Sequence, residues 1–183
     1  MQMDTPVMTP KTRSGASPAS TRTRAEDWLR AAAVRSTGAR IKVLSALLET
    51  HSALTHQDIQ ERFHDIDRVT LYRTLDCLTE AGLAHKIAGD DRVFRYSAGA
   101  EHGPHAHHPH QHGAAAQPPA QHQHGHFKCT RCARIFCLEP AAPNRAGNLD
   151  KQLRALLRDS LGPGFEGHDI ELTIKGWCGD CSR

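Results

Sequence analysis

Apolar residues recur at helical spacing through the first half of the chain and then switch to alternation. A short helix is expected over residues 25–35. A second starts near Thr37, with Ile41, Leu44, Leu47 and Leu48 on one face. Thr55 opens a third. Leu54 and Ile59 flank it as a hydrophobic staple, and Asp58 sits at the third helical position, as in a capping box. A fourth helix begins at Asp67 or Arg68 and runs to Ala81 on the stripe Leu71, Leu75 and Leu78. Gly82 can end it in the left-handed conformation, with Leu83 packing behind. Ala84 to Ser97 reads as two short strands around the turn Ala88-Gly89-Asp90-Asp91. Three helices followed by a hairpin is the order of a winged helix-turn-helix.

Two stretches lack any period. Residues 1–24 are rich in Thr, Ser, Pro and Arg, and are expected to be a disordered tail. Residues 98–125 consist largely of Gly, Pro, Ala, Gln and His, and are expected to form a flexible insertion, or hinge. Periodicity returns in residues 126–183. Ala133 to Leu138 reads as a strand, and Asn148 as the cap of a helix carrying Leu149, Leu153, Leu156, Leu157 and Leu161. Gly162-Pro163-Gly164 ends that helix, and His168 to Lys175 alternates with Ile170, Leu172 and Ile174 on one face. The expected class is therefore α+β: a winged-helix domain at 25–97 and a small α/β domain at 126–183. So small a second domain exposes a sheet edge and an apolar helix side, which a second copy would cover.

Composition narrows the chemistry. Among 183 residues the formal net charge is only +3, and aromatics make up 5%. No apolar run approaches the roughly 20 residues of a membrane helix. The opening MQMDTPVMTPKTRSG has no apolar signal core, so a soluble cytoplasmic protein is expected. In a reducing compartment paired cysteines more often bind metal than form disulfides. Cys129-Thr-Arg-Cys132 and Cys178-Gly-Asp-Cys181 each offer two thiolates, two corners of a tetrahedral zinc site. A structural ion would compensate for a core thin in aromatics. The rival, a thioredoxin-like redox pair, needs no second CxxC. Cys77 reads as a small core residue of the fourth helix. No paired carboxylates, phosphate loop or nucleophile motif points to catalysis, so neither an enzyme nor a small-molecule substrate is expected.

The exposed side of the fourth helix carries Arg68, Thr70, Tyr72 and Arg73. Arg can reach guanine edges and Thr a thymine methyl, while Tyr and Arg can fix register on phosphates. Overall charge does not decide the matter, because residues 25–97 hold as many acids as bases to within one. Double-stranded DNA is the expected partner through local presentation of charge.

These residues also carry a family resemblance. Thr37-x-x-Arg40, Thr70-Leu-Tyr-Arg-Thr-Leu75 and Glu80-Ala-Gly-Leu83 resemble the DNA-binding domain of the ferric uptake regulator family. His124-x-His126-x-x-Cys129-x-x-Cys132 and Gly176-x-Cys178-x-x-Cys181 resemble its dimerisation domain. The resemblance implies a homodimeric, metal-dependent repressor. It further implies that Tyr72 and Arg73 contact DNA, that Arg35 makes a basic groove contact, and that Cys129, Cys132, Cys178 and Cys181 hold structural zinc.

By the same resemblance, His85, His124, His126 and Cys137 fall on positions of a regulatory metal site. Cys137 stands where the family usually has Glu. The wing residues Arg95, Tyr96 and Ser97 replace a usual carboxylate or thiol, which leaves a ligand unassigned, with His102 or His122 as candidates. Ile170 stands where a strand His is common, and His168 can compensate. Imidazole and thiolate favour zinc over harder ions, though iron also accepts imidazole. A zinc uptake regulator is therefore expected. The alternatives are an iron- or peroxide-responsive repressor of the same fold and a cytosolic zinc-buffering protein.

Overall fold

In the computed structural model the described residues are 17–99, 125–138, 143–162, 164–165 and 172–182. The chain divides into two compact units, Met1–Pro119 and Ala120–Arg183. Among the described residues no helix is long and apolar enough to cross a membrane.

The first unit contains α1 (Pro18–Ala31), α2 (Gly38–Glu49), α3 (His56–Arg62) and α4 (Arg68–Glu80). It also holds three short strands, β1 (Leu54–Thr55), β2 (Ala84–Ala88) and β3 (Phe94–Ala98). Each of the last three helices begins at a side-chain cap. The Thr37 hydroxyl accepts from the Arg40 N–H, and Asp67 accepts from the Thr70 N–H. Thr55 and Asp58 cap each other reciprocally. The end of α4 closes as expected: the Leu83 N–H reaches the Leu78 carbonyl at 2.9 Å, the Gly82 N–H reaches Thr79 at 3.0 Å, and Gly82 has φ +70°. This is a Schellman motif, and only glycine adopts that φ without strain.

Three boundaries differ from the sequence expectation. The first helix starts at Pro18, inside the stretch expected to be a tail, and ends at Ala31 rather than at residue 35. Pro18 occupies the first helical turn, where a missing N–H costs nothing. Thr21, Ala25, Trp28 and Leu29 are all buried, so tertiary packing overrides the polar composition of this turn. The hairpin also gains a third strand. Leu54 pairs with Tyr96 and Thr55 with Arg95, giving the antiparallel order β1-β3-β2. The staple and cap residues of α3 thus double as a sheet edge. The core gathers Leu29, Leu44, Leu47, Ile59, Leu71, Leu75, Leu78 and Leu83 from all four helices and the segment after α4.

The second unit comprises β4 (Gly125–Cys129), β5 (Ile135–Leu138), α5 (Pro143–Leu161) and β6 (Thr173–Gly176). The strand β4 goes beyond the sequence reading. It forms the centre of the sheet, antiparallel to β5 and parallel to β6. The helix starts at Pro143, so Asn148 lies within it and is not its cap. Leu153 and Leu157 are half-buried, whereas Leu156 is 60% and Leu161 54% exposed. The expected tail before residue 17, the insertion histidines His102, His122 and His124, and His168 and Ile170 all lie outside the described residues.

Candidate metal centre and nucleic-acid interface

The parallel register of β4 and β6 builds the cysteine cluster. Cys129, the last residue of β4, lies opposite Gly176, two residues before Cys178. The two CxxC turns therefore emerge side by side at the same end of the sheet. A Cβ on Gly176 would sit 3.2 Å from the Phe127 ring, a tight approach that glycine relieves. The Thr130 N–H donates to the Gly176 carbonyl at 2.8 Å, tying the first turn to the second. Ala133 takes a left-handed φ of +57° as the chain re-enters β5.

The four sulfurs of Cys129, Cys132, Cys178 and Cys181 lie within 4.8 Å of one another, and none is in a disulfide. Burial pushes the Cys129 thiol up, but N–H groups of Cys132, Cys178 and Arg131 outweigh it and bring it down to about 6. Burial and hydrogen bonds with the other cysteines push Cys181 up to about 12. Four thiols so close cannot all ionise without a cation among them. This donor set fits a tetrahedral thiolate-bound ion, for which zinc is the usual occupant. Arg131 donates to the Cys181 carbonyl and lies over the Trp177 ring at 3.8 Å.

Of the expected regulatory ligands, His126 and Cys137 are directly opposed across the β4–β5 ladder and both are half-buried. His85 lies on β2, opposite Ser97 of β3. The wing residues Arg95 and Tyr96 serve the fold. Tyr96 is buried in the core, and Arg95 makes two hydrogen bonds to Asp91, at 2.6 and 2.9 Å. That guanidinium holds the Asp91 carboxyl far below the usual carboxylate range.

The solvent side of α4 presents Arg68, Val69, Tyr72 and Arg73. Arg35 is exposed in the α1–α2 connection, where its carbonyl accepts from Arg40 at 2.8 Å. Thr70 departs from the expected face. It is half-buried, and both its hydroxyl and its N–H donate to Asp67, so its polar atoms serve the cap. Two neighbours go beyond the sequence reading. Val69, 59% exposed, is an apolar group of the kind that can meet a thymine methyl. His56, at the start of α3, stacks on Tyr72 with ring centroids 4.5 Å apart and planes at 22°. Burial, and then the nearby Arg68 charge, push the His56 pKa down. Arg68 also lies 5.8 Å from the Tyr72 ring centre. No local sequence signal marks this contact, because it joins two helices across the turn.

A helix-turn-helix with a β-wing is thus followed by a unit built around paired cysteines. The model of the ferric uptake regulator family matches residues 31–115. Over those residues the chain is similar to the ferric uptake regulator family. No curated protein matches the sequence. Solved structures share the fold. A zinc uptake regulator complexed with zinc and DNA aligns at TM-score 0.56 and 21% identity, over 92% of this chain and 97% of that one. Holo XcZur aligns at TM-score 0.53 and 23% identity, over 91% and 99%. The Helicobacter pylori ferric uptake regulator, reported with three functional metal binding sites, aligns at TM-score 0.52 and 14% identity, over 92% and 95%.

Proposed function

We propose that this chain is a zinc-dependent transcriptional repressor that binds operator DNA as a homodimer in the cytoplasm and controls zinc-uptake genes. The observation that carries the choice of ion is the donor chemistry of the β4–β5 pair. His126 and Cys137 oppose each other there. An imidazole beside a thiolate suits zinc better than the oxygen-rich sites that suit manganese. In this reading His85 and His124 join them as ligands of the regulatory ion, while Cys129, Cys132, Cys178 and Cys181 retain a separate structural one. The likeness in fold to a zinc uptake regulator solved with zinc and DNA supports the same reading.

Arg68, Tyr72 and Arg73 then meet bases and phosphates in the major groove, and Arg35 adds a basic groove contact. Homodimerisation is supported by the exposed apolar side chains Leu156, Leu161 and Ile174 of the second unit. Two recognition helices related by a dimer axis read half-sites roughly 34–36 Å apart. His85 comes from the first unit and the other regulatory ligands from the second, so ligation narrows the orientations open to the winged helix. Moving that equilibrium from 1:99 to 99:1 requires about 5.5 kcal/mol of differential affinity.

The test is enrichment of random DNA duplexes on the full chain, with free zinc, iron or manganese buffered in parallel. Enrichment of one palindromic sequence only with zinc is expected. Equal enrichment with iron would turn the reading towards an iron- or peroxide-responsive repressor. Tight zinc uptake without any sequence enrichment would make the protein a zinc buffer.

A further inference from the structure

The cysteine cluster has a fifth polar member that comes from neither CxxC pair. Arg134 stands two residues beyond Cys132, just after the left-handed Ala133. Its side chain is only 14% exposed. Nε donates to Cys132 Sγ at 3.3 Å, and one terminal nitrogen donates to Cys178 Sγ at 3.5 Å. The same nitrogen reaches Asp180 Oδ2 at 2.7 Å. One guanidinium thus touches one sulfur from each pair, and Asp180, inside the second pair, holds the fork in place.

A half-buried arginine set among thiols needs a reason. Placing an ion at a shallow surface contact returns little stability, and burying one costs several kcal/mol unless hydrogen bonds repay it. Here the acceptors are sulfurs. Four thiolates around one divalent cation leave two negative charges uncompensated in a partly desolvated site. Arg134 offsets one of them through the two sulfurs it touches. The planar fork also fixes their separation, since Cys132 Sγ and Cys178 Sγ sit 3.7 Å apart beneath it. A lysine ammonium would keep the charge but lose the two-point geometry.

We propose that Arg134 is a positioning residue of the thiolate metal centre. It bridges the two CxxC turns through Cys132 and Cys178 and slows escape of the bound ion. Asp180 acts through Arg134 by orienting it. This inference rests on the reading that the four cysteines hold zinc.

The experiment uses the full chain, loaded with zinc, as wild type, Arg134→Lys, Arg134→Gln and Asp180→Asn. Transfer of zinc to a chromophoric chelator is followed in time. Outer hydrogen-bond partners of metal ligands typically contribute 10–100-fold to metal affinity. Arg134→Gln is therefore expected to release the tightly held zinc at least about tenfold faster, with Arg134→Lys and Asp180→Asn in between. Cobalt substitution supplies a readout that mere folding would not move. Loss of the N–H donors should shift the sulfur-to-cobalt charge-transfer band to lower energy in Arg134→Gln, while the tetrahedral d–d bands stay in place. Unchanged release and an unchanged charge-transfer band in loaded Arg134→Gln would overturn the proposal. If Arg134→Gln does not fold, Arg134→Lys decides alone: wild-type release and spectrum would overturn it. Wild-type protein that retains no thiolate-bound zinc would instead overturn the structural-zinc reading.

Discussion

The two units hold themselves together by different means. In the first, four helices and a three-stranded sheet close over a core of leucines from α1, α2 and α4 and Ile59 from α3, several of them fully buried. In the second, the buried apolar side chains among the described residues are Cys129, Ile135 and Cys178. Two of those three are candidate metal ligands. The first unit therefore folds on hydrophobic burial. The second has its sulfurs at the centre of what little is buried and leaves Leu156, Leu161 and Ile174 exposed. On the function proposed above, a self-sufficient unit is thus paired with one that metal and a second copy complete.

The largest effect should come from attacking the metal centre. Structural zinc in small domains is associated with apparent binding free energies of about 10–16 kcal/mol. Cys178→Ser, or strong chelation, is expected to unfold the second unit and abolish dimerisation while the winged helix still melts cooperatively. Two-probe thermal unfolding with sedimentation checks this, and loss of both units together would break the contrast. The converse variant is Leu75→Ala in the fully buried stripe of α4. It should cost the first unit about 2–5 kcal/mol and leave the zinc count of the second unchanged. Next come Tyr72→Ala and Arg73→Ala, which should each weaken specific operator binding by about 1–3 kcal/mol and leave both unfolding transitions in place. Titration of a labelled duplex reads this directly.

Acid should separate the units as well. Arg95 holds Asp91 below its unfolded-state pKa. A depressed carboxylate contributes stability that is complete above the unfolded value, about 3.9, and disappears as pH falls through the folded one. Thiolate and imidazole ligation fails at higher pH, because both ligands must be deprotonated. On descending pH, zinc release and loss of the dimer should therefore precede loosening of the wing. Simultaneous loss of the zinc and wing signals would count against this order. The smallest effects concern two alanines in left-handed conformations, Ala33 at φ +54° after α1 and Ala133 at φ +57° between the first CxxC and β5. Replacing either by glycine relieves strain by about 1 kcal/mol or less. Ala33→Gly should raise only the transition of the first unit, and Ala133→Gly only that of the second.

What could be read in the sequence follows the range of the interactions. Thr37, Thr55 with Asp58, Asp67 and Gly82 act within a few residues of themselves, so their helices are legible from local pattern. The beginning of α1 is not, because its polar turn is held by burial of Thr21, Ala25 and Trp28 against distant helices. The strand β4 carries Phe127 as its one large apolar residue, too little alternation to mark the centre of a sheet. The CxxC pairs are legible because their spacing is the chemistry. Arg134 and the stacking of His56 on Tyr72 are not, since both depend on segments brought together by the fold.

The Cys178 N–H donates to Cys129 Sγ across a separation of 49 residues. Closing so long a loop costs roughly 3 kcal/mol of chain entropy before any contact across it forms. The cluster cannot be assembled gradually from one end. If the four cysteines hold an ion as proposed, a chain bearing only the first pair is a weak, open chelator, and arrival of the second pair turns it into a cage. Assembly of this unit should therefore be slow, sensitive to free metal during synthesis, and vulnerable to oxidation of the early thiols while they wait.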